Sequence, residues 1–372
     1  MSAINPLFDG ARLVVCVGSG GVGKTTTSAA LALRAAIDGK RVLVLTIDPA
    51  RRLANAMGLE HLGNHPAPVD LGALGSEGAG ELHAMMLDAR ASFDALIEET
   101  AGDDAARILG NRVYRIMADH FAGVQEYMAV VRLHEMYDSG EWDLIVLDTP
   151  PAKHAEDFFS ASSRAAALFD ERIIRWFLPN SDPDAGLLKR VFNPGAVVLK
   201  LLAAIGGDAF IAELSEFFEA LNIISDKLRD RGERVDSILT DRATRYIVVA
   251  SPDPRRVDEA VAFHERLVAM RKQVALFVLN RSHHGFERTD LSLIDSAAQV
   301  LPSDHPVHGA RERVAAFYDD LLELAERDRD AERRLSRRVA SDRVRLVPVF
   351  GRPIHELREL ARLASFVLGE AR

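Results

Sequence analysis

The chain has 372 residues, 48% of them hydrophobic, and a formal net charge of −9. This length predicts one large domain with insertions or two lobes. The net negative charge argues against a protein that binds nucleic acids or anionic membranes in general. Cys16 is the one cysteine, which excludes an intrachain disulfide and a metal site of several thiolates, and it favours a reducing compartment.

The sequence predicts a cytoplasmic protein. Residues 1–10 lack the basic start and the apolar stretch of a signal peptide. The longest apolar stretch, near residues 196–205, is about half as long as a membrane-spanning helix and contains Lys200.

Short apolar runs alternate with helical patterns along the chain. The runs predicted to be strands are 13–17, 41–47, 81–87, 143–147, 246–250, 274–279 and 344–349. The predicted helical segments are the stretch from 26, 88–137, 155–230, 309–340 and the carboxyl-terminal residues, while 60–80 read as a loop. This alternation predicts an α/β fold in which helices flank a mostly parallel sheet. We expect a single domain, 1–372, with helical insertions at approximately 88–137 and 155–240.

The most specific motif is a glycine-rich loop directly after the first strand. Its residues match G-x-x-x-x-G-K-[ST] at every fixed position: Gly18, Ser19, Gly20, Gly21, Val22, Gly23, Lys24 and Thr25. Such a loop surrounds phosphates with main-chain N–H groups, and the following helix start adds its positive end. We expect Lys24 to contact the β- and γ-phosphates as a catalytic group, Thr25 to ligate Mg²⁺, and Thr26 to complete the nucleotide site.

Polar residues follow several predicted strands, at the sheet edge where open α/β folds bind ligands. Asp148 follows four apolar residues and is predicted to hold Mg²⁺, directly or through water. Asp48 ends the second strand and is predicted to orient or deprotonate the attacking water and to belong, with Thr25 and Asp148, to the Mg²⁺ site. The alternative is that each aspartate caps a helix or stabilises a turn.

The run from Gly18 to Thr26 resembles the deviant Walker A loop, which is shared by septum-site and plasmid-partition ATPases, nitrogenase iron protein, the arsenical-pump ATPase and the guided-entry ATPase for tail-anchored membrane proteins. Residues 46–50, 122–126 and 148–154 resemble the switch I, the P-G-x-x-E element and the switch II of the last two. Asn280 matches the asparagine that recognises adenine in these families. Residues 347–350, which include Pro348 and Phe350, resemble the loop that closes over the base. The chain is therefore similar to a bacterial arsenical-pump or guided-entry ATPase.

This resemblance implies a P-loop NTPase with a helical client subdomain, which binds ATP and Mg²⁺ and hydrolyses ATP as a dimeric switch. Its client would be hydrophobic or a membrane protein. Residues 176–231 carry the apolar side chains that such a surface needs. We favour the plainer interpretation that these residues form a helical layer packed on itself and on the sheet.

Two departures from the family pattern affect the expected assembly. Ser19 stands where the family has a lysine that crosses the dimer interface to the partner's phosphates. A homodimer would lack both lysines, so we favour a heterodimer with a related, lysine-bearing subunit. Lys153, where the family's switch II has glycine, is either a substitute charge or a surface residue. The second function left open is a nucleotide-binding regulatory subunit with weak hydrolysis. A surface-partitioning ATPase is a third, less favoured because the last helix is short and mixed in charge.

Overall fold

The computed structural model describes most of the chain, with several gaps. The described residues are 5–47, 52–75, 79–120, 124–151, 158–159, 207, 210–219, 230–284, 292–302, 305–307, 309–351, 354 and 356–371. Several positions singled out from the sequence lie outside these ranges: Asp48, Lys153 and much of the predicted client segment 176–231.

One sheet organises the described residues. Its strands are β1 (Leu13–Gly18), β2 (Arg41–Thr46), β3 (Ala67–Pro68), β4 (Glu81–Met86), β5 (Leu144–Asp148), β6 (Thr244–Ala250), β7 (Val274–Ser282) and β8 (Val344–Pro348). Their spatial order is β3-β4-β2-β5-β1-β6-β7-β8. All neighbours pair in parallel except β3 and β4, which are antiparallel. The predicted mostly parallel sheet is therefore confirmed.

Helices cover both faces of this sheet. They are α1 (Lys24–Ile37), α2 (Arg52–Met57), α3 (Ala89–Ala101), α4 (Ala105–Gly110), α5 (Arg112–His120), α6 (Val124–Asp138), α7 (Pro254–Ala269), α8 (Ser292–Val300), α9 (Ala310–Ser336) and α10 (Leu357–Val367). Residues 210–219 and 230–240 are also helical. In the part of 88–137 that the structure describes, there are four helices, α3 to α6. Among the helices described, none is both long and apolar enough to cross a bilayer.

Residues 60–80 form more than the loop that their composition predicts. They contain the edge strand β3 and a short 3₁₀ turn at Gly72–Leu74. Strand β3 has only two residues, one of them Pro68, which is too short for the alternation of apolar and polar residues that predicts a strand. Proline is tolerated there because β3 is an edge strand.

Strand β1 lies between the two halves of the core. Leu13, Val15 and Val17 pack on one face of the sheet with residues of α3 to α6. Val14 and Cys16 pack on the other face, in the cluster that contains the apolar sides of α1 and α10. Burial raises the pKa of Cys16 to about 12, so this side chain remains a neutral thiol. Full burial contributes about 1.5 to 3 kcal/mol for each leucine or valine, which fixes β1 and the loop that follows it.

Candidate functional site

Two glycines let the loop after β1 approach its neighbours closely. A Cβ added to Gly18, whose φ is 152°, would lie 2.1 Å from the carbonyl oxygen of Val249 in β6. A Cβ on Gly23, whose φ is 97°, would lie 2.2 Å from Nδ2 of Asn280. Glycine is required at both positions, because other residues would meet main chain or a buried amide and would rarely adopt these φ values.

Lys24 begins α1 and is folded back over this loop. The residue is only 7% exposed, and its Nζ donates a hydrogen bond to the carbonyl oxygen of Ser19 at 3.0 Å. Next to it lies a cavity of about 280 Å³, here called the loop cavity. Its lining residues are Gly20, Gly21, Gly23, Lys24, Thr25, Thr26, Arg52, Thr149, Pro151 and Arg281. This lining includes three cationic side chains, and no carboxylate of the described residues belongs to it. Such a lining attracts an anionic ligand.

Asp148 lies at the end of β5, beside β1 and β2 in the sheet. The side chain is fully buried. Its Oδ2 accepts hydrogen bonds from the hydroxyl groups of Thr25 at 2.7 Å and Thr46 at 3.0 Å. A carboxylate and a threonine hydroxyl are hard oxygen donors of the kind that Mg²⁺ prefers, so Asp148 and Thr25 could hold this ion.

Asn280 lies at the end of β7 and connects the glycine loop with that strand. Its Nδ2 donates to the carbonyl oxygen of Val22 at 2.9 Å, and its Oδ1 accepts from the N–H of Arg281 at 3.0 Å. The amide keeps another N–H and another lone pair for a ligand. Asn280 lines a cavity of about 450 Å³, here called the strand-end cavity. Its other lining residues are Gly23, Thr26, Arg281, Pro348, Val349, Phe350, Gly351, Ile354 and Leu363.

The two cavities share Gly23, Thr26 and Arg281, so they adjoin each other along the first turn of α1. Phe350 is held by an edge-on contact with Phe366 of α10, with ring centroids 6.1 Å apart. A charged cavity beside one with an aromatic wall suits a ligand that has an anionic part and a flat part.

Arg281 was not among the site residues predicted from the sequence. Its φ of 63° is left-handed, and the pairing of β7 with β8 shifts register between Asn280 and Ser282. The backbone therefore bulges at Arg281, where this residue lines both cavities. Its position directly after Asn280, at the end of a predicted strand, was the available signal.

Two further residues were missed. Arg52 opens α2 and lines the loop cavity. Thr46 ends β2 and bonds to Asp148 across the sheet. The available signals were that Arg52 follows the segment resembling switch I and that Thr46 begins this segment. The contact of Thr46 with Asp148 depends on the pairing of β2 with β5.

The structure therefore brings Gly18, Ser19, Gly20, Gly21, Val22, Gly23, Lys24, Thr25, Thr26, Asp148, Asn280, Pro348 and Phe350 to one sheet edge. Asp48 lies outside the described residues, so its position relative to this site stays a prediction.

Ser19 has a partner that the sequence did not indicate. Its hydroxyl donates to the carboxylate of Glu259 on α7. The same carboxylate forms an ion pair with Arg256 at 2.9 Å. The position where the family resemblance implies a lysine is thus occupied here by a hydroxyl group that is hydrogen-bonded to a carboxylate.

Curated proteins similar to this chain include two fungal ones and a bacterial one. ATPase GET3 of Malassezia globosa is 33% identical over 154 residues, which cover 41% of this chain and 43% of that protein. ATPase get3 of Aspergillus terreus is 34% identical over 150 residues, covering 40% and 42%. Putative arsenical pump-driving ATPase 1 of Aquifex aeolicus is 23% identical over 258 residues, covering 67% and 58%. The chain spans about half the length of the curated relatives that it matches.

A family model described as anion-transporting ATPase matches residues 11–284. The match begins just before β1 and ends just after β7, so it contains the glycine loop, Asp148 and Asn280. The resemblance to arsenical-pump and guided-entry ATPases is thereby confirmed. Since the matched residues make up well over half of the 372, the chain belongs to the anion-transporting ATPase family.

Proposed function

We propose that this protein binds ATP with Mg²⁺, hydrolyses ATP to ADP and phosphate, and acts as a nucleotide-dependent dimeric switch. One observation carries the proposal: Lys24, Thr25 and Asp148 converge beside a loop cavity that Arg52 and Arg281 also line. Family membership and the names of the relatives support the same activity.

Each part of the site has a role in this proposal. The main-chain N–H groups of residues 20–23 and the cations of the loop cavity bind the phosphates. The base enters the strand-end cavity, where Asn280 offers its remaining amide groups and Pro348 and Phe350 form an apolar wall. Thr25 and Asp148 would hold Mg²⁺, which would supply positive charge that neutralises the phosphates.

Asp48 has the role of positioning water and accepting its proton as the water attacks the γ-phosphorus and the bond to ADP breaks. Asp48→Asn should leave ATP affinity unchanged but slow single-turnover hydrolysis by about 100-fold or more, because the amide does not accept the proton. Quench-flow with radiolabelled ATP measures the rate, and calorimetry with a non-hydrolysable analogue measures the affinity.

Asp9→Asn is the matched control, since Asp9 is exposed near the amino-terminal end of the chain. It should hydrolyse ATP at the wild-type rate. Undiminished hydrolysis by Asp48→Asn would remove Asp48 from the catalytic machinery, and lost affinity would assign it to binding instead.

The proposal includes a hydrophobic or membrane-protein client, as the family resemblance implies. One relative is named as an arsenical pump-driving ATPase. This chain has Cys16 as its one cysteine, and that thiol is fully buried in β1. Arsenite capture by several thiolates of this chain is therefore not part of the proposal.

A second function, a nucleotide-binding regulatory subunit that needs a related partner for fast hydrolysis, is favoured by the Ser19–Glu259 hydrogen bond. Ser19 supplies no charge to a partner's phosphates. If hydrolysis is slow because this position has no lysine, Ser19→Lys should raise the steady-state ATP turnover of the purified chain by about tenfold or more.

Ser19→Ala is the matched control, because it removes the bond to Glu259 without adding charge. It should leave turnover unchanged. Fast hydrolysis by the wild-type chain alone, with no gain from Ser19→Lys, would refute the regulatory function and the need for a heterodimer.

A further inference from the structure

A second, strongly basic cavity lies at the opposite edge of the sheet, where β6, β7 and β8 begin. Its volume is about 590 Å³, within the range of small-molecule sites. Five basic residues line it: Arg245, His264, Arg271, Lys272 and Arg343. We call it the basic cavity.

The lining of the basic cavity contrasts with the rest of the chain. Apart from its basic residues it is formed by Val268, Gln273, Val274 and Ala275, so no carboxylate of the described residues lines it. The chain as a whole has a net charge of −9. Three arginines and Lys272 are brought together here from β6, the α7–β7 connection and the turn before β8, and an anion bound between them would offset the repulsion of their charges.

Lys272 is the most unusual member of this cavity. It is only 5% exposed, and its Nζ lies 5.0 Å from the ring centroid of Phe159 and 5.8 Å from that of Tyr246. Within the described part of the chain, no carboxylate forms an ion pair with this ammonium. Burial lowers the pKa of Lys272 to about 8, although Asp236 acts in the opposite direction. A buried ammonium without an ion pair is costly, and a bound anion would stabilise it.

Arg271 adds independent evidence. Its φ of 58° is left-handed, at the end of α7, where its N–H bonds to the carbonyl oxygen of Val268 at 2.9 Å. Glycine is the residue usually favoured there. An arginine at a position that favours glycine indicates that its side chain is useful in the cavity.

The remaining groups offer donors in fixed positions. Arg343 donates one hydrogen bond to the carbonyl oxygen of Val274 at 3.3 Å, and Arg245 donates one to that of Arg242. Each guanidinium keeps further N–H groups for a ligand. Nδ1 of His264 is buried and has no hydrogen-bond partner among the residues that the structure describes. The planar guanidinium group of arginine presents neighbouring N–H groups that can bind two oxygens of one phosphate group.

We propose that the basic cavity is a second ligand site, separate from the loop cavity, which binds a small molecule or headgroup carrying phosphate groups. A lining of three arginines and a lysine favours a ligand with more than one negative charge, which phosphate groups supply. A concave cavity of this size, in an acidic chain, favours a small phosphate compound over the backbone of a nucleic acid.

Inorganic pyrophosphate is the probe, and Arg271→Gly is the variant. Glycine suits the left-handed position, so the variant should melt at a temperature no lower than the wild type while losing one cation from the cavity. We expect Arg271→Gly to raise the Kd for pyrophosphate, measured by calorimetry, by about tenfold or more. Arg329→Ala, on the exposed side of α9, removes the same charge outside the cavity and should bind as the wild type does.

A residue-resolved measurement separates this site from the glycine loop. Acetic anhydride reacts with neutral amines, and mass spectrometry reads Lys272 and Lys24 separately. Pyrophosphate should reduce the acetylation of Lys272 in the wild type and in Arg329→Ala, but not in Arg271→Gly. Protection confined to Lys24, or equal heats and equal protection in wild type and Arg271→Gly, would overturn the proposal.

A parallel experiment distinguishes the source of the phosphate. Phosphatidylcholine vesicles containing phosphatidic acid replace pyrophosphate as the probe. Vesicles that protect Lys272 in the wild type but not in Arg271→Gly assign the site to a lipid headgroup. Protection by pyrophosphate without protection by vesicles assigns it to a free phosphate compound.

Discussion

Replacing Lys24 with alanine should weaken ATP binding by about 100-fold or more, which corresponds to about 3 kcal/mol. Lys24 is almost fully buried at the start of α1, where its Nζ bonds to the carbonyl oxygen of Ser19 and adjoins the loop cavity. Charged hydrogen bonds from a side chain this buried to phosphate oxygens are strong, and alanine offers none. Calorimetry with a non-hydrolysable ATP analogue and Mg²⁺ measures the change.

The control is Lys40→Ala, which removes the same charge where α1 has ended and the chain enters β2. It should bind the analogue with wild-type affinity. Both variants should melt within a few degrees of the wild type, so that a loss of affinity is not a loss of fold. Tight binding by Lys24→Ala would contradict the assignment of the loop cavity to the phosphates.

Replacing Asp148 with asparagine should reduce kcat by about 100-fold or more and raise the Mg²⁺ concentration needed for half-maximal rate. The amide would keep the shape of the side chain but lose its negative charge. The buried carboxylate accepts bonds from Thr25 and Thr46, whose hydroxyl groups can rotate to suit an amide. The fold should therefore persist while the metal site is lost. Steady-state hydrolysis at a series of Mg²⁺ concentrations tests this.

Thr46→Val separates the carboxylate from its hydrogen bonds. This variant removes one hydrogen-bond donor to Oδ2 of Asp148 but leaves the negative charge. We therefore expect kcat to fall by less than tenfold, which corresponds to about 1 kcal/mol in the activation free energy. A similar loss in both variants would mean that Asp148 acts by holding the strands together and not by binding metal.

The sequence predicted the position of the glycine loop and most of the sheet, because both depend on local patterns. The glycine loop is a contiguous run between a buried strand and an alanine-rich helix, so its residues lie together in any fold that keeps this connection. The runs that became β1, β2 and β5 to β7 are largely apolar on both faces, as parallel strands covered by helices require. The position of Asp148 at the end of a strand was predicted because this residue directly follows such an apolar run.

Strand β3 and the residues 60–80 around it were less predictable. A strand of two residues, stabilised by its pairing with β4, has no periodicity of its own. The terminal helix α10 shows the opposite case. Its short length and mixed charge argued against a membrane-binding helix, and the structure places its apolar residues Leu360, Leu363 and Val367 in the core cluster with α1.

By itself, the sequence determined that this protein has a glycine-rich loop after its first strand and a mostly parallel sheet with Asp148 and Asn280 at one edge. Only the tertiary structure decided that Thr46 bonds to Asp148, that Arg52 and Arg281 line the loop cavity, and that Arg245, Lys272 and Arg343 surround a second one. The physical reason is that motifs depend on neighbours along the chain, whereas these contacts depend on strand order, register and a backbone bulge, which form when distant segments pair.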